Sequence, residues 1–278
     1  MAESFVQWRQ VFARCFVAGI LVLGVISVSG CATSLRRVSG VDSYSQDLTQ
    51  SDESEARRRA QIRLQLAANY FESGQTTVAL DEVNKSLVTD PTYADAYNLR
   101  GLIYMRLSDY SKAENNFLQA LSIDSQGSGI LHNYAWLLCQ EKKYTEADKY
   151  FDRVLTSPNY AARSKTLMAQ GLCRARAGDN EQAEKSLVKA YEMDASNPIV
   201  AYNLASLLLQ RKELIRAQFY IRRLNNSDLA NAESLWLGIK VEYALGDSIA
   251  LRQLGSQLKR RFGDSPEQIL YDRGNFNE

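Results

Sequence analysis

The chain has 278 residues with 33 Lys+Arg against 32 Asp+Glu, a formal net charge of +1. A nucleic-acid binder concentrates a basic excess on one face, and the total shows none, while 45% hydrophobic and 23% charged residues exclude wholesale disorder. Four prolines suit a helical chain, because proline breaks helix interiors, and a single histidine, His132, excludes multi-histidine metal sites.

Residues 1–30 read as an address, not as part of the fold. Arg9 and Arg14 form a positive start, diluted by Glu3, and Cys15 to Val28 is an uncharged apolar run. That run is shorter than the ~20 residues a spanning helix needs. It ends in Val28-Ser29-Gly30-Cys31, which resembles a bacterial lipobox: an aliphatic residue, two small ones, then cysteine. The Cys31 thiol would take a diacylglycerol and the freed amine an N-acyl chain, since stable anchoring needs more than one lipid chain. An uncleaved anchor or an ordinary signal peptide are the alternatives. Ala32, where an aspartate would tend to retain a lipoprotein at the inner membrane, implies by the same resemblance the outer membrane. Removing 1–30 deletes Glu3, Arg9 and Arg14 and leaves 31 basic and 31 acidic residues. With a neutral mature chain, no polybasic patch is expected to supplement the lipid.

Residues 31–54 are polar, without helical or strand period, and read as the lipidated N-terminus and a flexible tether. Arg57, Arg58 and Arg59 then begin a helix, as a solvated basic face. From there to the C-terminus one period dominates, with a small residue followed twelve positions later by alanine. The pairs are Ala67/Ala79, Gly101/Ala113, Ala135/Ala147, Gly171/Ala183, Ala205/Ala217 and Gly238/Ala250. A 34-residue period belongs to the tetratricopeptide repeat, a helical hairpin whose helices cross closely where both side chains are small. One hairpin cannot bury its apolar face, so neighbours must stack. The expected fold of 55–278 is therefore all-α: a right-handed superhelix of about six helical hairpins. A short capping helix should start at Ser265-Pro266-Glu267-Gln268, where Ser265 can cap and Gln268 can complete a capping box.

No glycine-rich phosphate loop, His/Cys ligand spacing or nucleophile elbow is present, so neither an enzyme nor a metal site is expected, and the only cofactor is the covalent lipid on Cys31. His132 reads as a polar or packing residue of a first helix. Tetratricopeptide domains bind through the surface lined by their first helices, and the family's groove positions fall here on Leu64, Phe71, Asn98, Leu102, Met105, His132, Trp136, Tyr202, Leu235 and Tyr243. Such an apolar, aromatic lining takes a hydrophobic peptide or amphipathic helix, with Phe71, Met105 and Trp136 as anchors. Neither a nucleic acid nor a small-molecule substrate is expected as partner. Cys139 and Cys173 lie on adjacent first helices; an oxidising compartment permits a bridge, but two separate thiols are the preferred reading.

A lipobox, a polar tether and six such repeats together resemble the type IV pilus biogenesis and stability lipoproteins, the PilF/PilW-type pilotins. The stretches Arg63-Leu64-Gln65-Leu66-Ala67 with Tyr70, Ala201-Tyr202-Asn203-Leu204-Ala205, and Tyr271-Asp272-Arg273-Gly274-Asn275-Phe276 carry the resemblance. It implies a periplasm-facing outer-membrane adaptor that binds the pilus secretin and promotes its localisation and multimerisation. The alternative is a scaffold of another envelope machine, for outer-membrane barrel assembly or peptidoglycan-enzyme recruitment.

Overall fold

The computed structural model describes residues 54–276; the expected signal segment, Cys31 and the expected tether up to 53 lie outside the described residues. Thirteen helices and no strand occur among the described residues, and twelve of the helices form six antiparallel hairpins. These are α1 (Glu55–Glu72) with α2 (Thr76–Thr89), α3 (Ala94–Arg106) with α4 (Tyr110–Ile123), and α5 (Ser128–Gln140) with α6 (Tyr144–Thr156). They continue with α7 (Arg163–Arg176) and α8 (Asn180–Met193), α9 (Pro198–Gln210) and α10 (Leu214–Asn225), then α11 (Ala232–Leu245) and α12 (Ser248–Phe262). The last helix, α13, spans Pro266–Arg273.

The small residues sit where the period requires them. Ala67, Ala135 and Ala205, with Ala79, Ala113, Ala147, Ala183 and Ala217, are fully buried. A Cβ on Gly101 would lie 2.7 Å from the Phe117 ring, so the second helix of that hairpin approaches as closely as glycine allows. Ala250, in the last hairpin, is only half-buried, because no full repeat stacks beyond it.

Each hairpin turns through the same hydrogen bond. The amide of Gln75 donates to the carbonyl of Tyr70 at 2.8 Å, and the equivalent bond recurs from Asp109, Lys143, Asp179, Glu213 and Asp247. The residue just before each of these donors is left-handed: Gly74, Ser108, Lys142, Gly178, Lys212 and Gly246, with φ from 59° to 84°. Glycine adopts this conformation freely and an L side chain does not. Replacing Lys142 or Lys212 by glycine should therefore stabilise the chain by roughly 0.5–1 kcal/mol, after the entropy of the added glycine is subtracted. A thermal melt should show a rise of about 2 °C per substitution.

Six-residue connections at 157–162 and 226–231 replace the four-residue ones after α2, α4 and α8; the first lengthens the repeat, whereas the second follows the shorter α10 and does not. Layering is set by which helices touch. Successive first helices, α1, α3, α5, α7, α9 and α11, pack against one another, whereas the second helices pack only against first helices and, at the end, α13. The first helices thus form the continuous inner layer. Among the described residues the core clusters draw on residues 64–276.

At the C-terminus Ser265 caps α13, accepting from the Gln268 amide at 3.2 Å. The reciprocal half of the expected capping box is not made: the Gln268 side chain donates instead to Asp272 at 2.8 Å. Tyr271 packs onto Gly255, where a Cβ would lie 2.1 Å from the ring, and Leu270 and Phe276 help close the cluster of Leu235, Trp236, Ile239 and Leu258.

Candidate functional site

The inner face is built from one side of each first helix. At its N-terminal end Leu64 and Ala68 of α1 meet Asn98 and Leu102 of α3 across a cleft of about 430 Å³. Gln61, Gln65, Tyr93 and Asp95 complete its rim. The cleft is apolar at its floor because α1 and α3 lay their groove positions side by side. Asn98 accepts from Asn133 of α5 at 3.0 Å, which ties this cleft to the third repeat.

Phe71, Met105 and Trp136 are half-buried on the same face, and two of them carry a cover that their positions in the repeat do not announce. The Arg106 guanidinium lies 3.6 Å from the Phe71 ring centroid and donates to the Phe71 carbonyl. Arg176 lies 4.9 Å from the Trp136 ring and donates to Gln140 at 2.9 Å. In each case an arginine at the end of one first helix reaches back over an aromatic ring at least one repeat earlier, so a partner meets cation-covered rings, not bare ones. The reach of these arginines between units is not visible in the sequence.

Four expectations change. His132 is buried, not groove-lining: its Nδ1 pairs with the Thr166 hydroxyl at 2.8 Å, and its ring meets Phe151 edge-on at 6.0 Å. Burial, with the Lys165 charge adding to it, pushes the imidazole down to about 4. Leu235 is fully buried too, because α13 and the tail close over the last repeat. Tyr243 keeps 44% exposure but stacks 5.0 Å from Phe276, so the chain's own tail covers one side of it. Cys139 and Cys173 are joined in a disulfide between α5 and α7, with alpha carbons 5.8 Å apart. That distance falls within the range a bridge requires, and it replaces the reading of two separate thiols. Tyr202 stays half-buried on α9, where burial and the carboxylates of Glu233 and Glu267 raise its phenol.

The structure therefore brings Leu64, Asn98 and Leu102 into one cleft and leaves Phe71, Met105, Trp136 and Tyr202 accessible along the inner face. Among the described residues no group of three His, Cys, Asp or Glu could hold a metal ion. Such a surface offers apolar and aromatic contacts.

Known proteins agree with this geometry. Tetratricopeptide-repeat models match residues 94–126 and 168–220. The type IV pilus assembly protein PilF of Pseudomonas aeruginosa is 27% identical over 250 residues, 90% of this chain and 95% of that protein. The crystal structure of PilW, a type IV pilus biogenesis factor, superposes with a TM-score of 0.72 at 29% identity, covering 77% of this chain and 98% of PilW. The solved structure of P. aeruginosa PilF gives 0.69 at 27% identity, over 79% of this chain and all of PilF. By repeat, fold and sequence, the chain is a tetratricopeptide-repeat protein similar to the type IV pilus biogenesis proteins PilF and PilW.

Proposed function

We propose that the chain is a non-enzymatic adaptor of type IV pilus biogenesis, anchored in the outer membrane through acylated Cys31 and facing the periplasm. Its inner face holds a hydrophobic or helical segment of the pilus secretin, and the lipid carries the complex to the outer membrane, where the secretin multimerises. The observation that supports this reading is the cleft between α1 and α3, continued by the accessible Phe71, Met105 and Trp136. It accompanies a likeness to pilus biogenesis proteins over most of the chain. Apolar grooves of this kind take peptides and amphipathic helices, with energy concentrated at aromatic and thioether anchors.

The test is photocrosslinking in cells from Leu64, Leu102 and Trp136, with Val88, 83% exposed on α2, as the outer-face control. Secretin should crosslink to the inner positions and not to Val88; the reverse pattern overturns the groove assignment. Trp136→Ala should weaken the complex by about 2 kcal/mol, some thirtyfold in affinity. Deleting the gene should leave secretin monomeric, and Cys31→Ala should abolish outer-membrane recovery of the adaptor.

A further inference from the structure

Near-neutral charge overall conceals a segregation along the outer layer. In α2, α6 and α8 acidic residues outnumber basic ones and in α4 the two balance, whereas α10 and α12 contain no Asp or Glu at all. The basic residues of α10 are Arg216, Arg222 and Arg223; α12 carries Arg252, Lys259, Arg260 and Arg261. Arg216 and Arg222 are held by carboxylates, Arg216 by Glu184 and Glu213, Arg222 by the buried Glu242 and by Asp247. Among the described residues Arg223, Arg252, Lys259 and Arg260 have no carboxylate partner and are exposed. Helical spacing puts Arg252, Lys259 and Arg260 on one outward face of α12 with Ile249, and Arg222 and Arg223 beside Ile215 and Phe219 on α10. The apolar side chains Ile249, Ile215 and Phe219 are 63%, 69% and 59% exposed. A shallow furrow of about 590 Å³ joins the two faces; Ile249, Gln253 and Arg260 line it on the α12 side, and Arg222 lines it with its own carboxylate partners Glu242 and Asp247.

We propose that the outer face of the last two repeats docks on the anionic phospholipid surface of the membrane that carries the chain. Charge selects the occupant: unneutralised guanidinium and ammonium groups match phosphate headgroups, and each adds about 1 kcal/mol near an anionic leaflet. Shape selects it as well. The apolar side chains project from the outer layer of the array, where they can enter a headgroup region but cannot enclose a peptide. The neutral total therefore misleads about the absence of a polybasic patch. Docking by this face would leave the inner face open for its partner and fix its orientation to the membrane. The inference rests on the reading that the chain is a membrane-anchored lipoprotein, but its test does not use the anchor.

The experiment is co-sedimentation of the non-acylated chain 32–278 with phosphatidylethanolamine vesicles containing phosphatidylglycerol. Vesicles of phosphatidylethanolamine and phosphatidylcholine alone serve as the neutral comparison. Binding should require phosphatidylglycerol and weaken with salt. The triple variant Arg223→Glu, Arg252→Glu, Arg260→Glu should bind about a hundredfold more weakly. Phe219→Ser with Ile215→Ser should also weaken binding, while Arg58→Glu with Arg59→Glu, at the other end of the array, should not. Circular dichroism and a thermal melt establish that each variant is folded. Equal binding to both vesicle types, or an equal loss from the Arg58/Arg59 variant, overturns the proposal. So does unchanged vesicle binding by the triple variant together with a lost secretin crosslink, which would make the surface a site for an acidic peptide. Vesicle binding that persists while Cys31 proves unacylated in cells would refute the anchor and leave this surface standing.

Discussion

Replacing Cys139 and Cys173 together by alanine should destabilise the chain by about 3–4 kcal/mol, the entropy of a closed loop of about this length returned to the unfolded chain. The sequence separation is 34 residues, one full repeat, so the bridge ties equivalent positions of neighbouring hairpins. In a repeat array each unit touches only its neighbours, and fraying at one junction is not opposed from elsewhere. A covalent link across the junction of α5 and α7 removes that weak point where the repeat itself is lengthened, at residues 157–162. Its effect should reach the inner face. Trp136 lies three residues before Cys139 and Arg176 three after Cys173, so both sit one helical turn from the bridge. Without it, the stacking of Arg176 on Trp136 loses its support. Guanidinium unfolding of the wild type should show a midpoint that falls on reduction to that of the double variant. The sulfur-bearing residues are 1% and 2% exposed, so reduction should be slow until the junction opens. A double variant within 1 kcal/mol of the wild type would mean that the bridge contributes little to the fold.

The repeat was legible because its marker is steric. A hairpin in which Gly101 faces Phe117 at 2.7 Å from where a Cβ would stand tolerates almost no other residue, so spacing alone reports the fold. Glycine supplies the left-handed turn residue in only half the repeats, at Gly74, Gly178 and Gly246. Ser108, Lys142 and Lys212 adopt the same backbone against their preference, held by the hairpin on either side. Nothing in their identity announces that.

The inner face was legible as a set of positions but not as a surface, and the reason differs for each residue. Leu235 occupies a groove position in a hairpin whose next neighbour is the cap, so the cap buries it. Position within a repeat does not reveal the element stacked after it. Arg106 and Arg176 cover rings on earlier helices, a contact set by side-chain reach between units. Charge failed for the opposite reason: a sum over the whole chain averages the acidic and balanced outer helices with the basic α10 and α12, and only the layering separates them.

His132 carries the second large effect, expressed in pH. Its imidazole titrates near 4 in the folded chain against 6.5 when unfolded, chiefly because burial disfavours the charged form. A depressed histidine stabilises the fold fully above its unfolded pKa, and that stability is lost as pH falls through 6.5 toward 4, where the unfolded chain binds the proton first. The loss should be about 2 kcal/mol by pH 5 and about 3 kcal/mol by pH 4. Carboxylates held low by their partners, such as Glu82 between Lys85 and Arg63, ordinarily titrate at 4.5 and lose their contribution below that range. At pH 5 the histidine loss therefore runs well ahead of the carboxylate loss. His132→Leu is the informative variant, because the Thr166 hydroxyl keeps Tyr160 as a partner at 3.0 Å when the imidazole is removed. Between pH 7.5 and 5 the wild type should lose about 4–8 °C in melting temperature and the variant much less. Parallel decline in both would place the acid sensitivity elsewhere. Since α5 carries His132, Trp136 and Cys139 on successive turns, protonation would loosen the helix that presents Trp136 to the inner face.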